Sequence, residues 1–367
     1  MRRTIKRAAG VLLAAILLLP CLAGAEGRWL TPEAAIQETV AESGYTGTVA
    51  ITFLGDCTLG GEEKSVNAAS GFVQRVAKHG YEYPFRNLKA LTLADDLTVA
   101  NLEGVLTDRK LKKVDKTYNF SGPTEFTQIL TLSGIECVTL ANNHSHDYGA
   151  EGYEDTKSAL EAAGVAWFGT DGAVIWQNDA GVRIGFLGVN YALYDSQAAA
   201  YDRQLQSLRE AGCDAVITVM HAGEEYTQVI DRHQKQIVSY AVKQGTDLIV
   251  GHHPHVVQGF DLVQGVPVVY SLGNCAFGGA RYVKDRDALA LRAELAFEAG
   301  ELTGMVLRFY PITVSTDDTY NNFSPDFLTG AAARRVLAKM EKSTGYAMGE
   351  LADDGAAVVE VSLAREE

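Results

Sequence analysis

Side chains that bind metal ions are concentrated in a few short segments of this sequence. Six of its eight histidines come directly after, or close behind, apolar runs that resemble strands. The densest segment is His252-His253-Pro254-His255, in which His253 and His255 can offer two imidazoles from one tight turn. Imidazole and carboxylate ligands without a cluster of thiolates are typical of an open, catalytic site for zinc, manganese or iron. The residue types therefore predict a centre for one or two divalent metal ions.

Five further segments place polar side chains where strands are predicted to end. They are Gly55-Asp56, Asn101-Leu102-Glu103, Asn142-Asn143-His144, His221-Ala222-Gly223-Glu224 and Ser271-Leu272-Gly273-Asn274. A carboxylate such as Glu103 can bridge two cations that share a nucleophilic water or hydroxide. Asn143 offers a neutral amide oxygen, whereas the adjacent His144 projects elsewhere and can donate a proton. Each segment alone also fits a turn, a helix start or a buried histidine, so the prediction rests on their combination.

The elements that must position these segments alternate between strands and helices, which indicates an α/β fold. Apolar runs predict strands over residues 48–54, 97–100, 137–141, 183–189, 215–220 and 248–250. Helices, each followed by a glycine that can end it in a left-handed conformation, are predicted over residues 124–133, 153–163, 202–211 and 231–244. Loops after the carboxyl ends of strands converge on one crevice in such a sheet, so residues distant in sequence can meet there.

The two ends of the chain have patterns of their own. A short helix is predicted after Thr31, which can cap it, with Pro32 at its first position. The C-terminal pattern predicts two strands of a hairpin, a helix and a final strand over residues 289–297, 302–310, 326–342 and 357–363. We therefore divide the chain into a signal peptide, an N-terminal helical segment, one catalytic-type domain, and a helix and strand that complete that domain, over residues 1–25, 26–45, 46–315 and 316–367.

The first 25 residues have the pattern of a signal peptide that is removed on export. Four basic residues precede the apolar stretch 8–19, which is too short to span a bilayer comfortably. Ala23-Gly24-Ala25 then supplies the small residues of a cleavage site. We predict cleavage after Ala25 and a secreted or extracytoplasmic, cell-surface-associated location, with a retained N-terminal anchor as the alternative.

The charge balance limits the classes of partner. The chain has a formal net charge of −14, and removal of the leader with its four positive charges takes this to −18. Such a surface repels nucleic acid and anionic lipid, so we expect no nucleic-acid partner. An anionic ligand must then be bound by a local positive centre such as a metal ion.

The motifs, in their order over residues 46–310, resemble the CapA family, which is associated with poly-gamma-glutamate capsule synthesis and is similar to calcineurin-like metallophosphoesterases. The segments that carry this resemblance are Gly55-Asp56, Asn101-Leu102-Glu103-Gly104, Ala141-Asn142-Asn143-His144 with Asp147-Tyr148-Gly149, His221-Ala222-Gly223-Glu224, Gly251-His252-His253-Pro254-His255 and Ser271-Leu272-Gly273-Asn274. The resemblance implies a four-layer αββα sandwich of the metallophosphoesterase type. It also implies a catalytic histidine, His144, a bridging carboxylate, Glu103, and further metal ligands at Asp56, Asn143, His221, His253 and His255.

The sequence departs from the pattern of these families at three positions. Thr58 stands where metallophosphoesterases usually have a histidine, so one metal site loses an imidazole and the number of bound ions stays open. Glu103 replaces the commoner aspartate and is one methylene longer. Cys275 stands where the CapA family often has an aromatic residue. Cys275 and Cys57 could form a disulfide, or both could be accessory thiols beside the metal crevice. The third alternative is that the two cysteines are unrelated.

Two other groups of polar residues have alternative interpretations. His146 and Asp147 either orient the catalytic histidine or belong to a polar loop. Four lysines form a basic run that is either a solvated loop or a binding site for an anionic polymer: Lys110, Lys112, Lys113 and Lys116.

The sequence thus predicts a metal-dependent hydrolase that acts on a phosphoester or a related bond in capsule or poly-gamma-glutamate synthesis. His144 donates a proton to the leaving group in this mechanism, and Asp147 orients it. The expected partners are an anionic polymer or a phosphorylated small molecule, together with the membrane-bound capsule synthesis machinery. Two alternatives fit the same residues: a γ-glutamyl amide hydrolase, and a non-catalytic accessory factor that binds or helps to assemble poly-gamma-glutamate or another cell-surface polymer.

Overall fold

The computed structural model describes residues 27–38, 44–66, 68 and 70–363. The predicted signal peptide, residues 1–25, lies outside these ranges. Within them, no helix has both the length and the apolar character that crossing a bilayer requires.

The strands are numbered here in chain order. The first ten are β1 (Gly27–Leu30), β2 (Gly47–Thr58), β3 (Gly61–Glu62), β4 (Leu97–Leu102), β5 (Val105–Leu106), β6 (Phe120–Gly122), β7 (Cys137–Thr139), β8 (Ala166–Phe168), β9 (Val174–Asn178) and β10 (Arg183–Asn190). The others are β11 (Ala215–His221), β12 (Leu248–His252), β13 (Phe260–Val263), β14 (Val266–Val269), β15 (Asn274–Phe277), β16 (Asp287–Glu298), β17 (Glu301–Thr313), β18 (Asp326–Phe327) and β19 (Ala357–Ser362).

The helices are short near the N-terminus and longer beyond residue 149. They are α1 (Pro32–Ile36), α2 (Glu63–Val66), α3 (Phe72–His79), α4 (Lys89–Thr92), α5 (Thr127–Thr131), α6 (Gly149–Ala162), α7 (Ala198–Glu210), α8 (Arg232–Gln244) and α9 (Gly330–Thr344). Single turns of 3-10 or π helix occur at Tyr83–Phe85, Thr124–Phe126 and Leu193–Gln197.

Most of the strands belong to two large mixed sheets. The first has the order β1-β9-β10-β11-β12-β14-β13, and its strands β10, β11, β12 and β14 run parallel. The second has the order β18-β17-β16-β2-β4-β7-β8, in which β2, β4, β7 and β8 run parallel. In addition, β15 pairs with β2 and β19 pairs with β17, while β3, β6 and β5 form a small third sheet. The predicted α/β class is confirmed.

A single apolar cluster joins the two large sheets, because their central strands are apolar on both faces. Alternate residues of β2, among them Val49, Ile51 and Phe53, belong to the same buried cluster as Phe186 of β10 and Ile217 of β11. Parallel strands that are covered on both sides have such continuous apolar runs. These runs made the strands recognisable in the sequence.

The opposite faces of the two sheets lie in separate clusters that contain helix residues. In the second sheet, Leu54 of β2 shares a cluster with Phe72 of α3 and Leu160 of α6. In the first sheet, Leu187 of β10 shares a cluster with Leu205 of α7. The helices therefore cover the sheet faces that point away from the shared core.

The predicted C-terminal ends of the helices agree closely with the structure, whereas α6 and α7 start before the predicted residues and the last helix starts after its predicted residue. Gly134, Gly164, Gly212 and Gly245 all have positive φ, as expected of residues that end helices. The helix predicted over residues 326–342 starts only at Gly330. Asp326 and Phe327 are extended instead, because they pair with Thr313 and Ile312 of β17.

Candidate metal centre

The predicted ligands meet at the carboxyl ends of parallel strands from both large sheets. They lie in or shortly after β2, β4 and β7 of the second sheet and β11 and β12 of the first: Asp56, Glu103 and Asn143, then His221, His253 and His255. Each sheet thus contributes three side chains. This placement follows the rule that sites in α/β proteins form outside the carboxyl ends of the strands.

The first group of ligand atoms, called the Asp56 group, consists of Asp56, Glu103 and His255. These atoms lie within 4.8 Å of one another, and all three side chains are buried. Nδ1 of His255 lies 3.1 Å from Oδ2 of Asp56, and its Nε2 lies 3.8 Å from Oε1 of Glu103. Two carboxylates and one imidazole in this arrangement could hold a divalent cation.

The second group, called the His221 group, consists of Glu103, His221 and His253, whose ligand atoms also lie within 4.8 Å of one another. Nε2 of His221 lies 3.8 Å from Oε1 of Glu103 and 3.1 Å from Nδ1 of His253. Oδ1 of Asn143 lies 2.8 Å from the same nitrogen of His221, so an amide oxygen joins this group. These residues could hold another divalent cation.

Glu103 is common to both groups and is the most unusual residue of the centre. Its side chain is fully buried, and neither carboxylate oxygen has a hydrogen-bond partner among the described residues. Burial raises the pKa of Glu103 well above its usual value. Because a buried carboxylate without a hydrogen-bond partner is costly and rare in native proteins, a bound cation would offset this cost. The donor set and this unpartnered carboxylate both fit divalent cations.

The three histidines have different protonation equilibria. Burial and the neighbouring His253 lower the pKa of His221 well below its usual value, and burial lowers the pKa of His253 to about 4. These two imidazoles are therefore neutral at pH 7, as metal ligands must be. Burial opposes ionisation of His255 as well, but the carboxylates of Glu103 and Asp56 outweigh it and raise the pKa to about 9. The Asp56 group therefore attracts positive charge.

The turn that carries His253 and His255 has a strained backbone. Their φ angles are 98° and 56°, in a region that residues other than glycine seldom adopt. Tyr226, whose own φ is 60°, donates its backbone N–H to the carbonyl oxygen of Pro254 at 2.8 Å, which holds the turn. Strain of about 1–3 kcal/mol per residue persists where function requires the geometry. In this conformation the turn places His253 in the His221 group and His255 in the Asp56 group.

His144 lies beside the two groups and presents one ring nitrogen to them. Its Nδ1 lies 2.8 Å from Oδ2 of Asp147, whereas its Nε2 lies 3.9 Å from Oε1 of Glu103. The ring packs against Phe120, with 4.3 Å between the ring centroids. Burial lowers the pKa of His144, and Asp147 opposes this shift. Such a histidine, held by a buried carboxylate, has the geometry of a proton-transfer group.

Asp147 is itself fixed by two further contacts. Its Oδ2 accepts a hydrogen bond of 2.6 Å from the backbone N–H of Phe120, and its Oδ1 forms an ion pair with Lys116. The ammonium group of Lys116 also donates to the carbonyl oxygen of Asn143 at 2.7 Å and lies 3.3 Å from Nδ1 of His144. Lys116 therefore ties the loop 110–119 to the centre. Of the two interpretations of Asp147, the structure places it where it can orient His144.

Comparison with known proteins places this arrangement in a family. A family profile described as "Bacterial capsule synthesis protein PGA_cap" matches residues 50–279, a range that contains every predicted ligand and His144. This chain belongs to the bacterial capsule synthesis family PGA_cap. The resemblance predicted from the motifs is confirmed.

Two relatives of the capsule synthesis family show how far the similarity extends. A "Capsule biosynthesis protein CapA" of Bacillus anthracis is 31% identical over 253 residues, which are 62% of this chain and 59% of the relative. A "PGA biosynthesis protein CapA" of Bacillus subtilis (strain 168) is 27% identical over 265 residues, which are 66% of this chain and 67% of the relative. The chain thus spans about three-fifths to two-thirds of the length of these relatives.

Thr58, at the position where the sequence lacks an expected histidine, has a structural contact of its own in this member of the family. Its hydroxyl donates a hydrogen bond of 2.9 Å to the carbonyl oxygen of Glu103, so it anchors the shared carboxylate through the backbone. An imidazole nevertheless lies next to Asp56, because Nδ1 of His252 is 3.4 Å from Oδ1. His252 is not among the ligands predicted from the sequence.

Two asparagines near the ligands were also missed. Asn101 donates its Nδ2 to Oδ1 of Asp56 at 2.8 Å, and the same atom lies 3.3 Å from Nδ1 of His221. Oδ1 of Asn274 lies 3.0 Å from Nδ1 of His255. Both residues stand in the strand-end motifs, which was the available signal. Their role was not evident because an amide at a strand end more often belongs to a turn.

Other residues considered in the sequence belong to neither ligand group. His146 is exposed, and its ring stacks on Tyr153, with 4.2 Å between centroids. Cys57 and Cys275 are free thiols, fully buried in the apolar cluster on the outer face of the second sheet.

Proposed function

We propose that this protein binds two divalent metal ions, manganese, zinc or iron, and hydrolyses a phosphoester or a related bond in the synthesis of a capsule polymer outside the cytoplasm. The observation that carries the proposal is Glu103, a fully buried carboxylate without a hydrogen-bond partner among the described residues, shared by two ligand groups. A carboxylate between two sites is what a two-metal hydrolase needs.

The arrangement of the layers supports the finer proposal of a metallophosphoesterase-type sandwich. One apolar cluster joins the two large sheets, and helix residues share separate clusters with their opposite faces. Ligands from both sheets meet at one rim of this arrangement. The proposed fold is therefore four layers, αββα, with the site at the strand ends.

The residues of the chain have distinct roles in the proposed reaction. Bound divalent cations would supply Lewis acidity to the substrate and lower the pKa of a water molecule. Asp56, His255 and Glu103 would hold one ion, and Glu103, Asn143, His221 and His253 the other. Burial of Asp56, Glu103, His221 and His255 limits access of bulk solvent, which strengthens electrostatic interactions within the centre.

His144 is the proposed proton donor. Asp147 holds its Nδ1, so Nε2 is the nitrogen that points toward Glu103 and toward a substrate between the ligand groups. Asp147 would also stabilise the protonated ring, and its own charge is balanced by Lys116. The proton would pass from Nε2 to the oxygen of the leaving group as its bond to phosphorus breaks.

The proposal can be tested with purified protein in two steps. Elemental analysis gives the identity and number of bound metals, and a substrate panel follows: p-nitrophenyl phosphate, bis-p-nitrophenyl phosphate and γ-glutamyl p-nitroanilide. We expect two metal equivalents and cleavage of a phosphoester, lost in a variant that combines His253→Ala with His255→Ala. A metal-loaded protein that cleaves none of the panel would contradict the hydrolase proposal, and cleavage of the anilide alone would favour the γ-glutamyl amide hydrolase.

A second candidate function is a non-catalytic accessory factor that binds the capsule polymer. It is favoured by a cavity of 430 Å³ beside the loop 110–119, which is lined by Lys64, Lys113 and Lys116 together with Glu62 and Glu63. The ammonium groups could bind carboxylates of an anionic polymer. Binding of poly-gamma-glutamate that persists in the metal-depleted His144→Ala variant, without turnover in the native protein, would support this function instead.

A further inference from the structure

Cys57 and Cys275 lie opposite each other on neighbouring strands. In the parallel pair β2–β15, Asp56 is paired with Asn274, so the next residue on each strand is a cysteine. Both side chains are fully buried in one apolar cluster. The ladder has a register shift after this point, which leaves Cys275 and Ala276 facing Cys57.

The spacing of paired strands is compatible with a disulfide. Paired strands lie about 4.8 Å apart, and disulfides join residues whose Cα atoms are about 4.4–6.8 Å apart. Both side chains lie on the same face of the second sheet. Cys57 also donates its thiol hydrogen to the carbonyl oxygen of Gly55, at 3.2 Å.

The remaining described cysteines have different surroundings. Cys137 belongs to the apolar cluster between the two sheets, and Cys213 packs at the outer face of the first sheet. Cys57 and Cys275 share a third cluster, so they are the natural pair.

We propose that Cys57 and Cys275 form a disulfide bond that fastens β15 to β2 beside the metal centre. The oxidant is a small-molecule or protein disulfide. The thiolate of one cysteine attacks it to form a mixed disulfide and releases one thiol, and the second cysteine then displaces the other thiol. The two cysteines together lose two protons and two electrons, and the oxidant takes them up as two thiols.

The crosslink forms during folding, before the cluster closes around it. In the folded protein both side chains are fully buried, so neither sulfur is accessible to a disulfide oxidant. A thiolate is the reactive form, so exchange in the closed cluster is slow. The same shielding protects the finished bond from reductants.

The disulfide would act on the metal centre through its direct neighbours. Asp56 precedes Cys57, and Asn274 precedes Cys275. Both of these residues contact His255. A bond between the two cysteines therefore fixes the separation of two side chains that hold the same imidazole.

Peptide mapping of the full chain tests the linkage without any substitution. The protein is refolded with oxidised and reduced glutathione, alkylated in denaturant and digested with trypsin, which places Cys57 in peptide 29–64 and Cys275 in peptide 244–281. We expect these two peptides to be joined, and Cys137 and Cys213 to be alkylated. Alkylated Cys57 and Cys275, or a bond from either to another cysteine, would overturn the proposal.

Thermal unfolding tests the stabilising role. The oxidised protein should melt about 5 °C or more above the reduced protein, because a crosslink across more than 200 residues restricts the unfolded chain. Cys275→Ser should abolish this dependence on reductant, and the matched control Cys213→Ser should keep it. Equal melting temperatures of the linked and reduced native chains would contradict the stabilising role, and the peptide map decides the linkage even if a variant does not fold.

Discussion

The two ring nitrogens of His144 have separate tasks, and this makes the residue a sharp test of catalysis. Nδ1 is held by Asp147, while Nε2 faces the ligand groups without belonging to either of them. A substitution here should therefore remove proton transfer and leave the ligands in place.

The first prediction concerns His144→Ala. We expect kcat on the best phosphoester to fall by about 10²–10⁴-fold, as is usual on loss of a general acid, with unchanged metal content. Steady-state kinetics and elemental analysis on the same preparation give both quantities. His146→Ala is the matched control, since that neighbouring histidine is exposed. Loss of metal in His144→Ala would show that the residue is a ligand and would contradict the assigned role.

The second prediction separates the two ligand groups. His253 belongs to one group and His255 to the other, while Glu103 belongs to both. We therefore expect His253→Ala and His255→Ala each to lose one of two metal equivalents, and Glu103→Ala to lose both. Calorimetric titration with Mn²⁺ measures the stoichiometry, with exposed His233→Ala as the control. If either histidine variant keeps both equivalents, the assignment of that residue is wrong.

At the scale of single residues, the sequence predicted which residues are candidate metal ligands better than it predicted the residues that contact them. Asp56, Glu103 and the three ligand histidines stand in strand-end motifs, and their carboxylate and imidazole groups by themselves indicate metal ligands. Lys116 was predicted only as part of a basic run, because its contact with Asp147 depends on how the loop 110–119 folds back. No local pattern encodes that path.

At the scale of elements, the junction of β4 and β7 contains a half-buried carboxyl group, that of Glu136. Oε2 of Glu136 accepts a hydrogen bond of 2.8 Å from the backbone N–H of Thr98. Burial nevertheless raises the pKa of Glu136 to about 7, and the nearby Asp95 adds to the shift. The folded protein therefore holds a proton that the unfolded chain releases above pH 4.5.

The third prediction follows from this proton. Protonated Glu136 contributes fully to the free energy of unfolding below pH 4.5. This contribution is lost as the pH rises through 7, because ionisation of the carboxyl group in the folded state is unfavourable. Glu136→Gln keeps an acceptor for Thr98 and has no charge. Relative to the native protein, it should gain up to about 3 kcal/mol in free energy of unfolding at pH 8 and much less at pH 4.5.

Urea unfolding at pH 4.5, 6 and 8 measures the effect of Glu136→Gln. Exposed Glu298→Gln serves as the control and should show no such trend. A difference between Glu136→Gln and the native protein that does not change with pH would contradict the prediction.

The elements themselves were largely predictable, and their exceptions have physical causes. Strands covered on both faces left long apolar runs, and glycines with positive φ marked the helix ends. The helix prediction is wrong over residues 326–329, because pairing of Asp326 and Phe327 with β17 overrides the helical pattern. The positive φ angles of His253 and His255 could not be predicted either, because only tertiary contacts enforce such strain.

At the scale of the whole molecule, the candidate centre joins the two large sheets. Three ligands come from each sheet, so a bound cation contacts both halves of the shared core. Metal binding should therefore stabilise the entire fold rather than one loop.

The fourth prediction is a rise in global stability with metal. At a free Mn²⁺ concentration of about 100 times Kd, one site that exists only in the folded state adds about 2.7 kcal/mol to the free energy of unfolding. Urea unfolding with Mn²⁺ or with a chelator measures this, and the variant with both His253→Ala and His255→Ala should show no rise. Equal unfolding curves of the native protein under the two conditions would contradict the prediction.

The pairing of β2 with β16 has a consequence for the order of assembly. Ile51 is paired with Ala293, about 240 residues later, and all strands of the first sheet except β1 lie between them in the chain. Closing so long a loop is slow, and it requires the C-terminal hairpin to have been synthesised. A chain truncated after Tyr282 would contain every candidate ligand, yet β2 would lack the neighbour that completes its sheet. Residues that never touch a cation thus decide when the protein becomes able to capture one.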